Sequence, residues 1–453
     1  MRFQIVFAFL FVIAVANLTP GYSQQAIGAI EKPFQGVPAR QDAIIYQVNI
    51  RAFSETGDLK GIIPRLDSIK ALGANVVYLM PIYPVGKIRS VNSPYCISDY
   101  VRISDEFGTL DDLRQLVNAA HEKGLAVILD WVANHTAYDH PWTANPTWYL
   151  QDSTGKILSP PGMGWNDVAQ LNFSNADMRL AMINAMKYWV NAANVDGFRC
   201  DYADGPPVDF WKQAIDTLRR INGHKLLLLA EGSRAAHFSA GFDYNFGFRF
   251  FERMKDIYQH ERSVLSIDTL NISDYKGVVD ETQSMVRYIT NHDVNGSDGT
   301  PQELFGGPRG AMAAFVIAAY MKSIPMIYNG EEVGTPYRLV FPFTEKNIDW
   351  SLNPAVTAEY KKVLAVRNNS KAIRYGRPAS FSNADVCVFT KQEQGETVLV
   401  IVNLRNKQVD YAIPSAINRS SWKDSFTGKT TKLPASLKLA PYSYQVLVKR
   451  VSK

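Results

Sequence analysis

Short apolar runs alternate with longer amphipathic stretches along most of this chain. Seven runs typical of strands buried on both faces cover residues 44–48, 76–80, 125–129, 197–200, 226–230, 285–289 and 324–328. Helix-length segments separate them. In one of these, Leu113, Leu116, Val117 and Ala120 recur at helical spacing behind Thr109, a residue suited to cap a helix. Continuous apolar strands between helices predict a parallel sheet with helices on its faces.

The spacing of these βα units favours an α/β fold of the closed (β/α)8 type, a TIM barrel. An open doubly wound sheet is the alternative, but no glycine-rich phosphate loop follows the first strand. One connection is unusually long and rich in Pro, Trp, Asn and Gly. It lies between the third predicted strand and a helix beginning near Asn175, and it predicts a small inserted lobe over about residues 136–174.

The pattern changes past Arg367. Valine-rich or alternating runs at 385–391, 397–403 and 442–449 are separated by Gly, Asn, Lys and Pro. They predict a C-terminal antiparallel β-sandwich domain over residues 373–453. The barrel with its lobe then spans residues 24–372.

The first residues resemble a secretory signal. Arg2 precedes an apolar run of 12 residues, 5–16, and Gly21 and Ser23 supply small residues near a cleavage point. This pattern predicts a signal peptide over residues 1–23 and export to a periplasmic or extracellular location. The run is too short to span a bilayer, so no transmembrane segment is expected in the mature chain.

Charge and cysteine usage exclude two further classes. The net charge is +5 without a concentrated basic segment, which argues against nucleic-acid binding. Three cysteines, Cys96, Cys200 and Cys387, are too few for a disulfide framework and lack zinc-finger spacing. We expect them to be buried and unpaired.

Candidate chemistry lies where the predicted strands end, because barrel enzymes carry their active sites at the carboxyl ends of the strands. The polar residues there are Asp130, Asn134, His135, Arg199, Asp201, Glu231, Asn291, His292 and Asp293. Two carboxyl groups about 5 Å apart can hydrolyse a glycosidic bond with retention of configuration. Asp201 and Glu231 follow neighbouring strands, and we expect Arg199 to keep Asp201 ionised.

Each element of this site has another interpretation. Arg199 and Asp201 could form a structural ion pair, and His135 and His292 could be packing residues or zinc ligands. The sequence contains neither a His-Glu-x-x-His zinc motif nor a Gly-x-Ser-x-Gly nucleophile motif. Trp142, Trp148 and Trp165 of the lobe are either stacking platforms for sugars or packing residues.

Four short motifs at these strand ends resemble the conserved regions of the α-amylase superfamily, the family-13 glycoside hydrolases. They are DWVANH at 130–135, GFRCD at 197–201, LAEG at 229–232 and NHD at 291–293. The resemblance extends from about residue 44 to the carboxyl end and implies the three-domain layout of an α-amylase.

The resemblance also implies roles for particular residues. Asp201 corresponds to the nucleophile, Glu231 to the general acid/base and Asp293 to the carboxylate that stabilises the transition state. The substrate-binding positions are Tyr95, which stacks on the sugar, and His135, Arg199 and His292.

The implied reaction is retaining cleavage of α-1,4-glucosidic bonds in starch, glycogen or maltooligosaccharides through a covalent glucosyl-aspartate. An α-glucosidase or an α-glucan transglycosylase of the same family is the alternative. A non-catalytic carbohydrate-binding or transporter-associated barrel is disfavoured, because the three acids are present.

The sequence departs from the family pattern at several positions. Cys96 follows Tyr95 where an Asp is usual, and no Lys-His pair follows Asp201. The family often binds a structural Ca²⁺, for which Asn134 is the matching ligand here, whereas Gln170 stands where a ligand Asp is common. The sequence therefore predicts no metal site and no cofactor, with Ca²⁺ bound near Asn134 as the alternative.

Overall fold

The computed structural model describes residues 32–418 and 421–450, so the predicted signal peptide at 1–23 lies outside the described residues. Their strands are β1 (Ile45–Val48), β2 (Val76–Leu79), β3 (Ala126–Val132), β4 (His135–Ala137), β5 (Val168–Gln170), β6 (Gly197–Asp201), β7 (Leu227–Ala230), β8 (Tyr244–Phe246), β9 (Ser284–Arg287), β10 (Ile324–Tyr328), β11 (Arg377–Ser380), β12 (Val386–Glu393), β13 (Glu396–Asn403), β14 (Val409–Ala412), β15 (Ser421–Asp424), β16 (Thr430–Lys432), β17 (Ser436–Leu439) and β18 (Tyr444–Arg450).

The α-helices are α1 (Ile50–Phe53), α2 (Leu66–Leu72), α3 (Leu110–Glu122), α4 (Ala176–Ala193), α5 (Val208–Leu218), α6 (Ala236–Ala240), α7 (Phe248–Gln259), α8 (Ser266–Asp274), α9 (His292–Ser297), α10 (Pro301–Leu304), α11 (Pro308–Tyr320), α12 (Pro354–Asn369), α13 (Lys371–Tyr375) and α14 (Ser415–Asn418). Within the described ranges, none is both long and apolar enough to cross a membrane.

Eight parallel strands close into a barrel in the order β1, β2, β3, β6, β7, β8, β9, β10, which confirms the predicted (β/α)8 fold. Seven of them coincide with the apolar runs of the sequence. The pattern did not locate β8, because it has three residues, with Asn245 at its centre and Asp243 just before it. The barrel interior and the inward faces of the surrounding helices form one large apolar core.

Helix α3 shows why these segments are helical. Thr109 accepts a hydrogen bond from the backbone N–H of Asp112, and the Asp112 carboxylate accepts one from the backbone N–H of Thr109. This reciprocal cap satisfies donors that a helix start leaves free. The apolar face then buries Leu113, Leu116 and Val117 against the barrel.

The connection after β3 contains the two-stranded antiparallel sheet β4–β5, in which His135 lies opposite Gln170. Helix α4 follows, and Asn175 caps it by accepting a hydrogen bond from the N–H of Met178 at 3.0 Å. Trp142 is buried in this connection, and its ring contacts those of Tyr100, His140 and Trp148. Its packing leaves no open face for a sugar.

The chain after the barrel forms two antiparallel sheets, one of six strands (β11, β12, β13, β18, β15, β16) and one of two (β14, β17). Apolar residues from both, such as Val388, Ile401 and Leu439, form a second core. The predicted domain boundary at residue 372 falls inside α13. All three cysteines are buried and unpaired, as the sequence predicted.

Candidate active site

One guanidinium organises the carboxyl ends of β3, β6 and β7. Arg199, on β6, is fully buried and donates from Nη1 to Asp130 Oδ1 at 2.6 Å and to Asp201 Oδ1 at 3.0 Å. Its Nη2 donates to Glu231 Oε1. The side chains of Asp201 and Glu231 keep 12% and 11% exposure, so they face the mouth of the barrel, whereas Asp130 is fully buried.

The register of the barrel places Asp201 and Glu231 side by side. Cys200 on β6 pairs with Ala230 on β7. Asp201 is the next residue of β6, and Glu231 directly follows β7. Tyr202 then adopts a left-handed backbone conformation with φ of 39°. Its N–H donates to Glu231 Oε2 at 2.9 Å. The turn after β6 therefore fixes the carboxyl group that follows β7.

Burial and the neighbouring Glu231 carboxylate raise the pKa of Asp201 well above its usual range. Arg199 lowers the pKa of Asp201, which is the direction expected from the sequence, but burial and Glu231 outweigh its effect. One positive charge is shared among three carboxyl groups, so its attraction does not offset desolvation and the repulsion between them.

A chain of hydrogen bonds crosses the barrel mouth from β1 to β3. Gln47 Nε2 lies 2.8 Å from His292 Nδ1, and His292 Nε2 lies 2.7 Å from the hydroxyl of Tyr95. Tyr95 donates to Asp130 Oδ2 at 3.1 Å. Burial lowers the pKa of His292 to about 4, so the ring is neutral near pH 7. Because Gln47 Nε2 can only donate, the ring proton of His292 lies on Nε2.

Asp293 stands at the start of α9 with its side chain 57% exposed. Asn291 caps this helix, since its Oδ1 accepts from the N–H groups of Asp293 and Val294 at 3.0 and 2.9 Å. Asp293 Oδ1 lies 3.3 Å from His292 Nε2. Ligand atoms of Glu231, His292 and Asp293 lie within 4.8 Å of one another, so the third carboxylate joins the mouth formed by the first two.

His135 reaches the site indirectly. It is buried, its Nδ1 lies 3.2 Å from Asn134 Nδ2, and its ring packs edge-on against Trp165. Burial lowers the pKa of His135 to about 4, and a hydrogen bond with the backbone of Tyr95 partly opposes this shift. His135 therefore supports the segment that carries Tyr95.

The structure thus brings Arg199, Asp201, Glu231, Tyr95, His292 and Asp293 into one constellation, with His135 beside it. Sequence reasoning missed Tyr78, whose hydroxyl donates to Asp130 Oδ2 at 2.6 Å. Tyr78 lies on β2 opposite Ile128 on β3. No signal in the sequence marked it, because it is one residue of the apolar run 76–80. Cys96 is buried and donates weakly to the backbone of Asp167 at 3.3 Å.

A cation could contact one carboxylate-rich cluster in the described part of the chain. Within residues 32–418 and 421–450, one group of three possible metal ligands has its ligand atoms close together, and it consists of Glu231, His292 and Asp293. These are the groups that face the mouth, and His292 Nε2 already bonds Tyr95. With His292 already engaged, two carboxylates remain, which is fewer ligands than a bound cation usually has.

Comparison with known proteins gives a family match over most of the chain. Residues 46–156 and 147–412 match the family described as "Alpha amylase, catalytic domain". The chain is 25% identical to α-amylase 2 of Dictyoglomus thermophilum over 447 residues, which cover 90% of this chain and 76% of that protein. It is 33% identical to a probable oligo-1,6-glucosidase 2 of Bacillus subtilis over 201 residues, 36% of this chain and 34% of that protein.

The fold has close solved counterparts. The crystal structure of a noncanonic maltogenic α-amylase, AmyB from Thermotoga neapolitana, superposes with a TM-score of 0.81 at 24% identity. The superposition covers 92% of this chain and all of that one. The barrel with its lobe and C-terminal sheets is therefore an α-amylase fold.

Proposed function

Because the chain belongs to the α-amylase family of glycosidases, we propose that it cleaves α-1,4-glucosidic bonds of starch, glycogen or maltooligosaccharides with retention of configuration. The observation that carries this proposal is the placement of Asp201 and Glu231 at the same level of adjacent strands. Such strands lie about 4.8 Å apart, which suits the roughly 5 Å separation of retaining carboxyl pairs and is too short for an inverting pair.

In the first step, a carboxylate oxygen of Asp201 attacks the anomeric carbon from the β face. The bond to the glycosidic oxygen breaks, and Glu231 donates its proton to that oxygen, releasing the leaving group as an alcohol. The product is a β-glucosyl ester of Asp201. Glu231, now ionised, takes a proton from water, which attacks the same carbon and frees Asp201 with net α configuration.

The neighbouring residues prepare these steps. Arg199 contacts both reacting carboxyl groups, so it orients them and stabilises the charge that moves between them. Asp293, exposed at the rim, can accept hydrogen bonds from sugar hydroxyls as the ring flattens. Neutral His292 bonds the Tyr95 hydroxyl through its Nε2–H, so it holds the Tyr95 ring in place beside the reacting groups.

A cavity of about 370 Å³ beside the lobe supports a substrate longer than one sugar. It is lined by Leu150, Met163, Phe173, Tyr202 and Pro207 among others, and Tyr202 is the residue next to Asp201. Its size falls in the range of small-molecule sites. Trp165 packs edge-on against Tyr202.

A reducing-sugar assay on soluble starch with wild type and Glu231→Gln tests the proposal. The variant should lose activity by at least about a hundredfold, since general acid catalysis contributes that much or more. Glu122→Gln, on the exposed face of α3, is the matched control and should retain full activity. Equal signals from wild type and Glu231→Gln would favour a non-catalytic carbohydrate-binding barrel.

The second candidate is an α-glucosidase of the same family. A 35% identity over 199 residues to the α-glucosidase of Pediococcus pentosaceus, which covers 36% of this chain and 35% of that protein, favours it. Chromatography of products from starch, pullulan, maltose and sucrose separates the two. Mixed oligosaccharides early in starch digestion indicate an α-amylase, glucose alone indicates an α-glucosidase, and products longer than the substrate indicate a transglycosylase.

We also propose that the chain is exported. The support is the charge of Arg2, the apolar run 5–16 and the small residues Gly21 and Ser23. Sequencing the amino terminus of protein recovered from the periplasm or medium should give Gln24 as the first residue. Recovery of the uncleaved chain from the cytoplasm would contradict export.

A further inference from the structure

Three oxygen atoms surround a single position at the junction between the barrel and the lobe. The backbone oxygen and Oδ1 of Asn134, between β3 and β4, and the backbone oxygen of Leu171, after β5, all face it. The family resemblance implies a Ca²⁺ in this part of the fold, with Asn134 as its matching ligand. These oxygens therefore allow the fit of such an ion to be examined.

This position is occupied by a side chain of this protein. Gln170 Nε2 lies 3.0 Å from the Asn134 backbone oxygen, 3.2 Å from Asn134 Oδ1 and 3.0 Å from the Leu171 backbone oxygen. These are hydrogen-bond lengths, whereas Ca²⁺ requires six to eight oxygens at about 2.3–2.6 Å. None of the three oxygens belongs to a carboxylate. An ion does not fit while the amide is there.

The side-chain amide of Gln170 also provides hydrogen-bond partners for the polar groups around it. Asn134 Nδ2 donates to Gln170 Oε1 at 3.0 Å, so the two side chains form a reciprocal pair. Gly205, after β6, approaches from the other side, where an added Cβ would lie 2.4 Å from Asn134 Oδ1. The position is thus enclosed by three segments of the chain, one from the lobe and two from the barrel.

We propose that the Gln170 amide replaces the structural cation of this family and fastens the lobe to the barrel without a metal. The same amide pair orients a residue of the site. Asn134 Nδ2 lies 3.2 Å from His135 Nδ1 as well as 3.0 Å from Gln170 Oε1. Gln170 is therefore a positioning residue, acting on His135 through Asn134.

Thermal unfolding with excess EDTA and with CaCl2 tests the replacement. Wild type should have the same Tm in both, and Gln170→Ala should have a Tm lower by several degrees in both. Gln170→Glu should be destabilised in EDTA, because its carboxylate faces three oxygens, and CaCl2 should raise its Tm. Gln151→Ala, at a half-buried lobe glutamine, is the control and should match wild type.

Three outcomes would overturn the proposal. EDTA could lower the wild-type Tm, which would mean that a cation is bound. Gln170→Ala could have the wild-type Tm, which would mean that the amide fastens nothing. The Tm of Gln170→Glu could be unchanged by CaCl2, which would mean that this position does not bind a cation. If the alanine variant does not fold, the calcium response of Gln170→Glu still decides.

A double-mutant cycle tests the link to His135. Well below the Tm, Gln170→Ala and His135→Ala should each lower kcat/KM, and the double variant should be no worse than His135→Ala alone. Losses that simply multiply would restrict Gln170 to a structural role. This result is independent of the proposed bond specificity, because any α-glucoside that the enzyme cleaves can serve as substrate.

Discussion

The guanidinium of Arg199 contacts three carboxyl groups at once. A single positive charge is therefore shared among three groups that can each carry a negative charge. Asp130 is fully buried, and Tyr78 and Tyr95 donate hydrogen bonds to it. Arg199 therefore divides its charge between a structural partner and the two carboxyl groups at the mouth. Burial raises the pKa of Asp130 and of Asp201, so both side chains retain their protons to higher pH than free aspartates do.

Replacing Asp201 by Asn should abolish activity and raise stability at neutral pH. The raised pKa of Asp201 means that its protonated form is preferred in the folded state, so its favourable contribution is present at low pH and is lost as the pH rises through the folded pKa. The amide side chain of the variant carries no charge at any of these pH values. Each unit of the raised pKa corresponds to about 1.4 kcal/mol in the free energy of unfolding well above both pKa values.

Calorimetry of this variant at several pH values provides the measurement. The Tm of Asp201→Asn should exceed that of wild type at neutral pH, and the difference should shrink towards about pH 4. Asp105→Asn, whose native side chain is 94% exposed, should show no such trend. A variant that loses its cooperative transition would instead identify Arg199 and Asp201 as a structural ion pair.

The acid limb of the pH–rate profile should respond to Asp293. Attack requires ionised Asp201, so kcat/KM should fall on the acid side at a pH above the usual Asp value of about 3.9. The charge of Asp293 contributes to the raised pKa of Asp201. Asp293→Asn should therefore reduce the rate and move the acid limb to lower pH, whereas Asp152→Asn in the lobe should leave the profile unchanged. A limb that moves to higher pH would contradict this electrostatic account.

At the scale of elements, strands β6 and β7 deliver the two reacting groups, and their contact begins at Gly197. This glycine has φ of 145°, and a Cβ there would lie 1.9 Å from the backbone oxygen of Leu227. The two residues form the first pair in the register of the strands. The spacing of Asp201 and Glu231 thus depends on a residue without a side chain at the far end of the same strands.

Gly197→Ala should be much more destabilising than Gly155→Ala. Gly155 in the lobe is the matched control, because it also has a positive φ, 83°, but a Cβ there meets nothing within 4 Å. Gly155→Ala should cost about 1–2 kcal/mol from backbone strain alone. Gly197→Ala adds a clash between strands and should lower the Tm further and reduce kcat. Equal stability losses in urea titrations would refute the role given to this contact.

At the scale of the whole molecule, the sequence predicted the barrel because seven of its strands are continuous apolar runs. It also predicted which residues meet, since all the carboxyl ends of a parallel barrel lie at one mouth. It missed β8, whose short apolar signal is interrupted by Asn245. It could not predict that Arg199 serves three carboxyl groups, nor that Gln170 reaches back to Asn134, because both depend on side-chain positions across the fold.

The central claim is that Asp201 and Glu231 act as a retaining pair, and the configuration of the first product tests it most directly. Proton NMR of a digest of maltooligosaccharide, recorded before mutarotation, shows the anomer released by the enzyme. The account predicts that new reducing ends appear first as the α anomer and then equilibrate. Initial release of the β anomer would mean direct attack by water, and would contradict a covalent ester on Asp201.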